Sequence, residues 1–564
     1  MLTRRRKAFT LLELMVAFII MAILAAVAIP SMQSIVANSQ TEADQATALN
    51  LANAVYLQNH SSYPAQDVAA TQYASEAATY PSVASVTAIT GGAEFTFTDG
   101  SAPICVSTPT ANQGSPAIFA CPGTGGTTTT TSSGGSAQLT LIGTTIQNFG
   151  PSNAGVMIAC GAPGDCVIAF QNSSNQAAYV EETGGVWGTP TQVAGLDVAA
   201  GTPGTNPNSS WAIGVSCPSA GNCVLLGDMN SGSFVVTETN GTWGSASALA
   251  LPSGASPSGA TAIACASVGN CIVTGSVVIS SASQAFIDIE TGGVWAAEQL
   301  MSSSGSAAMA GACSTTGLCA IAVNSNNYSV ASGYTYNFST ATLSAATNFY
   351  TSGAQTVASS CGSDGTCLIG GNVVIGGVSQ VFWATESGGT WSSPTTMVAF
   401  GSNSTQFVAA SCVSNGNCAV AGNYVPASGG PTESFVDIET GGSWAGAQDL
   451  ASNIMTPTGI VSTTTSSMGA SVTSVACASA GNCVVGGQAD TTPNSTTSPT
   501  TPFQVPYVNA ITNGTAGTAT ELASSLNTTG PGSVGGIACP SSTTGCTAAG
   551  YYSGASGVGL FADA

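Results

Sequence analysis

Hydrophobic residues follow two different rhythms along this sequence. Phe9 to Pro30 reads FTLLELMVAFIIMAILAAVAIP, an apolar run interrupted by one carboxylate, Glu13. A run of this length can cross a bilayer as a helix. Pro30 lacks an amide hydrogen and bends a helix. Beyond it Ile35, Val36, Leu49, Val55 and Tyr56, set among alanines, predict that the helix continues to about Asn59. Residues 122–136, PGTGGTTTTTSSGGS, have no side chain able to anchor a core and read as a flexible tether. From residue 137 the apolar runs become short and alternating. AFIDI (285–289) and SFVDI (434–438) have the period of half-buried strands. The Gly-Gly and Asn-Gly pairs that follow such runs supply the positive φ angles of tight hairpins.

The strand pattern repeats. Cysteines recur as C-x5-C at Cys160/Cys166, Cys217/Cys223, Cys265/Cys271, Cys313/Cys319, Cys361/Cys367, Cys412/Cys418 and Cys477/Cys483. An eighth pair, Cys539/Cys546, has one more intervening residue. Zinc sites favour shorter spacings with further Cys or His nearby, and no such ligands accompany these pairs. An even cysteine count in an exported chain favours disulfides. Each bridge would staple one hairpin, and the chain-entropy model gives about 2 kcal/mol for so small a loop.

A second hairpin follows most pairs: EETGGVW (Glu182, Trp187), TETNGTW (Glu238, Trp243), IETGGVW (Glu290, Trp295), TESGGTW (Glu386, Trp391) and IETGGSW (Glu439, Trp444). Trp after the turn reads as a packing residue between neighbouring units. Units four and seven lack it. About four strands in about 50 residues is the footprint of a β-propeller blade. The turn resembles the Asp-box of sialidase-like propellers, with Glu in place of Asp; Glu386, Gly388, Thr390 and Trp391 carry the resemblance. In that family the motif marks fold and not catalysis, and its active site needs an arginine cluster that is missing here. Unit eight stops at GVGLFADA, and SAQLTLIGTTIQNF (136–149) has the strand character to complete it. The expectation is an all-β domain over 137–564, an eight-bladed propeller, with seven blades plus an irregular segment as the alternative.

Charge removes whole classes of function. All four basic side chains, Arg4, Arg5, Arg6 and Lys7, precede Ala8, against 25 Asp and Glu. Nucleic-acid binding needs cationic side chains to displace phosphate counterions, so no nucleic-acid partner is expected. With no Lys or Arg beyond residue 7, a chain trimmed there approaches neutrality in acid instead of accumulating positive charge. It is therefore expected to tolerate low pH.

The basic cluster followed abruptly by an apolar run could be a secretory signal peptide. Glu13 within the run, and its continuation into a second helical stretch, fit that reading poorly. The segment resembles the type IV prepilin N-terminus, with residues 4–60 covered and Phe9-Thr10-Leu11-Leu12-Glu13-Leu14 matching. The resemblance implies that a prepilin peptidase cuts between Ala8 and Phe9, where Ala8 replaces the family's usual Gly. It also implies N-methylation of the new Phe9 amine, with Pro30 as a helix kink. In an assembled filament Glu13 of one subunit faces the Phe9 amine of the next, so two buried charges compensate. Alternatively, Glu13 is simply protonated in the membrane. Residues 1–8 are then the leader. Residues 9–121 become an α+β pilin-like module with a transmembrane helix and a small sheet around Phe95–Phe97, closed by Cys105 and Cys121. His60, the single histidine, reads as a solvated residue near the helix end.

Candidate chemistry is thin. The repeated Glu residues could act as paired carboxylates for glycoside hydrolysis, but recurrence at one hairpin position favours solvated or turn-bonding groups. Asp228 with Asn230, and Asp364, could touch Ca²⁺, yet neither has a full ligand set. No cofactor, metal or catalytic residue is assigned. The expected role is a minor or tip subunit of a type IV pilus-like filament, in which other pilin subunits and the membrane are partners of the N-terminal helix. The propeller would meet a surface or glycan outside the cell, after storage of the precursor in the bacterial cytoplasmic membrane. A pseudopilin of a secretion apparatus and a filament-borne glycan hydrolase are the alternatives.

Overall fold

The computed structural model describes strands between residues 83 and 142 and most of residues 155–563; its longer breaks are 197–209, 463–468, 492–502 and 523–530. Ala8, Phe9, Glu13, Pro30, His60 and Cys121 lie outside the described residues, and so does the expected Cys105–Cys121 bridge. The chain separates into two compact units, Met1–Ser136 and Ala137–Ala564. In the first, the described strands Val83–Ile89, Gly92–Phe97, Ile104–Ser107 and Ile118–Phe119 form one antiparallel meander in chain order. Phe95–Phe97 falls in its second strand.

The second unit is built from a repeated antiparallel meander. In repeat three the strands are Ala255–Ser267, Asn270–Ile279 and Ala282–Thr291, followed by an outer strand in two short pieces, Val294–Trp295 and Gln299–Leu300. Both pieces pair with Ala282–Thr291. The second strand is buried along most of its length because both its faces are covered. Ile272 points into a core shared with Ile321 and Val323 of repeat four. Val273, one residue on, points into a core shared with Val224 and Leu226 of repeat two. Each core is therefore a seam between two successive sheets.

First strands run Met157–Ala162, Ser210–Ser219, Ala255–Ser267, Ala307–Cys313, Ala354–Cys361, Ser404–Ser414, Ala470–Ser479 and Ser533–Ala538, each lying beside the next. The last returns to the first. Ser533–Ala538 packs on Met157–Ala162 so closely that a Cβ at Gly535 would lie 2.4 Å from the Val156 carbonyl oxygen. Ile168, Phe170 and Val180 share a core with Tyr551 and Leu560 across the same seam.

The last sheet draws its outer strand from the other end of the sequence. Gln138–Leu141 pairs antiparallel with Gly557–Asp563, with Leu141 opposite Phe561 and Leu139 opposite Asp563. The Ile142 amide adds a bond to the Leu560 carbonyl at 3.1 Å. A closed ring of radial antiparallel meanders is a propeller-like all-β domain, in which closure removes the long exposed edges of an open array. Among the described residues there is no α-helix, only a turn of 3-10 helix at Ala399–Gly401.

Candidate functional site

Strand polarity gives the ring two ends. The disulfide hairpins and the Glu–Trp hairpins lie at one, and the hairpins joining second to third strands lie with the repeat-to-repeat connections at the other. At the hairpin end eight bridges are formed. They are Cys160–Cys166, Cys217–Cys223, Cys265–Cys271, Cys313–Cys319, Cys361–Cys367, Cys412–Cys418, Cys477–Cys483 and Cys539–Cys546. Most join direct cross-strand partners, as at Cys265 with Cys271 and Cys361 with Cys367. Cys217 and Cys223 instead flank a register shift between Ser216 and Ser219.

The bridges form the pairs that the spacing predicts, and they also contribute to the cores. The second cysteine of seven pairs is buried: Cys166, Cys223, Cys271, Cys319, Cys367, Cys418 and Cys483. Cys223 packs with Leu225 and Phe234, Cys367 with Ile369 and Phe382, Cys418 with Val420 and Phe435, and Cys483 with Val485 and Ile511. The reason is placement. Each begins a second strand that is covered on both faces, so its sulfur becomes part of a seam core and behaves as a small hydrophobe. Among the described residues no cysteine is free, and these positions are structural.

Glu and Trp are partners across the second hairpin, for example Glu290 with Trp295 and Glu439 with Trp444. The tryptophans bridge repeats. Trp444 lies 4.7 Å from Trp383, Trp243 lies 4.5 Å from Tyr179 and Trp391 lies 5.3 Å from Phe349, in each case on the preceding sheet. The Trp243 indole also donates to Glu181.

The repeated Glu residues are not solvated. Glu182, Glu238, Glu290, Glu386 and Glu439 are all buried. Glu386 keeps the turn-bonding role, its Oε1 accepting the Gly389 amide at 2.6 Å. The second oxygen of Glu182, Glu290, Glu386 and Glu439 is enclosed without a hydrogen-bond partner. Burial pushes the carboxyls of Glu290, Glu386 and Glu439 up. Glu182 rises to about 7 through burial and then the charge of Asp165. Glu238 rises to about 7 through burial and then Glu181. One such Glu per repeat in five repeats sets these five apart from one another; Glu238 instead shares a hydrogen bond with Glu181 of the preceding repeat.

The Ca²⁺ candidates have other partners. Asp364 accepts the amides of Thr366 at 3.0 Å and Asn415 at 2.7 Å, which makes it a turn brace. Asp228 is buried, with its Oδ1 3.5 Å from the Ala260 amide of the next repeat, while Asn230 lies outside the described residues. Among the described residues no cluster of three or more His, Cys, Asp or Glu could hold a metal ion.

Two sets of residues that the sequence reading passed over organise the ring. Five positions after the second cysteine, Asn324, Asn372 and Asn423 each accept an amide from the next repeat's first strand, those of Thr356, Phe407 and Val472, at 2.7, 2.7 and 2.9 Å. Immediately before that cysteine, Asn222, Asn270, Asn417 and Asn482 accept turn amides of the hairpin that follows the third strand, a Glu–Trp hairpin in all but the last case. Both were visible as recurrent polar residues at a fixed offset from cysteine.

One carboxyl pair lies outside the repeat. Glu433 is cross-strand from Tyr424, and Asp449 is opposite Phe435, two residues along from Glu433 on the same face. Burial and then Asp449 push Glu433 up to about 8. Beside it, the Ser434 and Tyr507 hydroxyls are 2.9 Å apart across the seam to repeat seven. Glu433 Oε2 is enclosed, so the group faces a packed seam and not a cleft. Among the described carboxylates of Ala137–Ala564, only Asp364 is exposed. Among the described residues, then, the ring exposes little carboxylate to solvent, the others being buried or half-buried. At the connection end the exposed aromatic side chains are Trp211, Tyr328 and Phe400.

Comparison with known proteins adds the N-terminus. The prokaryotic N-terminal methylation motif matches residues 3–29, which implies processing by a prepilin peptidase. No curated protein matches the chain. Among solved structures, the chain is similar to the Dos1 propeller at 11% identity and TM-score 0.42, covering 75% of this chain and 95% of that one. It is similar to the six-bladed β-propeller lectin of Aleuria aurantia at 14% identity and TM-score 0.31, covering 53% and 96%. A polysaccharide lyase of family PL25, an ulvan lyase, matches at 8% identity and TM-score 0.37, covering 67% and 95%. This chain therefore joins a prepilin-type N-terminal motif to a propeller-like domain.

Proposed function

We propose that the protein is a minor or tip subunit of a type IV pilus-like filament that carries an eight-bladed propeller as its binding head. In this reading a prepilin peptidase cuts between Ala8 and Phe9, and the Phe9 amine meets Glu13 of an adjacent subunit. The precursor waits in the cytoplasmic membrane and the head acts outside the cell. The observation that carries the reading is the joining, on one chain, of the methylation motif at 3–29 to a closed ring stapled by eight disulfides. Bridges of this kind persist in oxidising compartments, where a filament head works. Each repeat supplies three strands and a broken outer strand, the last borrowing Gln138–Leu141, which supports eight blades. A head of this size would crowd packed helices if every subunit bore one, which favours a minor or tip position. The buried carboxyls favour binding over catalysis.

Immunogold labelling of intact cells against residues 137–564 tests the assignment. Label at filament tips is the expected result. Label along whole shafts would make the protein a main subunit, and label confined to the envelope would make it a pseudopilin.

A further inference from the structure

Two exposed aromatic residues at the connection end have backbone conformations that bulky side chains avoid. Tyr328, in the hairpin between second and third strands of repeat four, has φ 64° and is 43% exposed. Phe400, in the connection between repeats five and six, has φ 51° and is 51% exposed. A left-handed backbone crowds Cβ against the neighbouring carbonyl, so a large L-residue there is an outlier. Such outliers persist where the surrounding structure enforces them, and they concentrate at ligand-contacting loops.

The surroundings are well tied. The Ser329 hydroxyl donates to the Asn326 carbonyl at 2.8 Å, and the Ala354 amide donates to the Ser329 carbonyl at 3.3 Å. The Val374 amide then bonds the Gly353 carbonyl at 2.9 Å, and the Ser379 hydroxyl bonds the Thr405 carbonyl at 3.1 Å. These bonds link the loops of repeats four, five and six into one arc. Val374 and Ile375 lie on it, exposed, between the two aromatics in ring order. The Phe400 ring rests on Tyr424 at 4.9 Å, so it is held as a raised platform.

We propose that this arc is the ring's ligand-contacting surface and that its ligand is an uncharged polysaccharide. Spaced aromatic and aliphatic faces suit the apolar faces of sugar rings, and the exposed Asn403 amide stands three residues beyond Phe400. Charge selects among polymers. The ring has no Lys or Arg to pair an anionic chain, and among the described residues the exposed carboxylate, Asp364, sits at the opposite end. The inference rests on the reading of the ring as a binding head and names what the head binds.

The test uses the full-length protein in detergent with five polymers: galactomannan and a mixed-linkage β-glucan as neutral probes, polygalacturonate and dextran sulfate as anions, and chitosan as a cation. At least one neutral polymer is expected to bind, with affinity unchanged between about 0.05 and 0.5 M salt, a range over which charge-driven contacts are screened. Phe400→Gly and Tyr328→Gly are each expected to weaken that binding at least about tenfold, since each removes a stacking platform. Glycine prefers these φ values, so both variants should melt at the same temperature as the parent or higher, which separates lost binding from lost fold. Binding of charged polymers alone, no binding at all, or parental affinity in both variants would overturn the proposal. Polysaccharide binding by a protein that immunogold fails to find on filaments would retain the arc and remove the filament.

Discussion

The amide of Gly442 donates to the carbonyl of Gly416 at 2.9 Å, which bonds the tip of the Glu–Trp hairpin to the tip of the disulfide hairpin in the same repeat. Gly185 and Gly164, Gly241 and Gly221, Gly293 and Gly269, and Gly514 and Gly481 form the same bond at 2.8–3.0 Å. Gly416 has φ +71°, and a Cβ there would come 2.7 Å from the Gly442 nitrogen. At Gly441, also left-handed, an added Cβ meets nothing within 4 Å. Gly441→Ala should therefore cost about 1–2 kcal/mol, the backbone penalty alone. Gly416→Ala should cost more, by about 1–3 kcal/mol of overpacking. Denaturant unfolding of the two variants side by side measures the difference.

Ionisation should loosen the ring as pH rises. Glu182, Glu238 and Asp288 are raised to about 7 and Glu433 to about 8, with burial the first cause in each. In the unfolded chain the same groups titrate near 4. A raised carboxyl makes the folded state bind more protons than the unfolded state between those limits, so stability falls with rising pH. The contribution is complete below about pH 4 and is lost progressively up to about pH 8. Asp364 runs the other way: burial's upward push is overridden by the amides of Asn415 and Thr366, and its carboxyl is held low. Melting temperature should be higher at pH 4 than at pH 8. A maximum near neutrality would contradict the expectation.

Glu386→Gln tests the same chemistry at one site. A glutamine oxygen can still accept the Gly389 amide, and the neutral side chain has no charged form for burial to penalise. The variant should match the parent in acid and exceed it at pH 8 in urea unfolding.

Replacing both Cys265 and Cys271 by Ser should cost more than the about 2 kcal/mol of a loop closed across six residues, because Cys271 is fully buried in a seam core where a hydroxyl is penalised. The loss should be local. Hydrogen exchange should accelerate in the hairpin around Ser267–Asn270 with little change on the opposite side of the ring.

Closure should be the most sensitive point to core truncation. Phe561 is fully buried, is cross-strand from Leu141 and lies on the strand that meets the start of the second unit. Phe561→Ala should cost about 3–5 kcal/mol. Calorimetry should show a broadened transition as the closing sheet separates from the rest.

Much of the ring was legible in the residues themselves. Cysteine spacing gave the repeat, Gly-Gly and Asn-Gly gave the turns, and the strand character around Leu139–Leu141 gave the closing partner of Gly557–Asp563. Burial of Glu290 or Glu386 was not legible, because a carboxylate before a turn reads as solvated unless its packing is known. The core role of Cys223 or Cys418 was hidden in the same way, since spacing identifies a bridge but not what packs over it. Asn324 and Asn423 were missed for a related reason: their partners lie in the next repeat, at separations no local pattern reveals. The outward aromatics Tyr328 and Phe400 gave no signal either, since φ belongs to the loop and not to the residue type.

The chain enters the ring beside the strand with which it finishes, Gln138–Leu141 against Gly557–Asp563. A pull on the polypeptide upstream of Gln138 therefore loads a few backbone bonds in one short pairing before it reaches any sulfur. Each bridge spans only its own tight loop, so the covalent links do not stiffen the ring against such a tug. They keep each hairpin pre-shaped instead. The arrangement is that of a buckle whose strap is one short strand pairing.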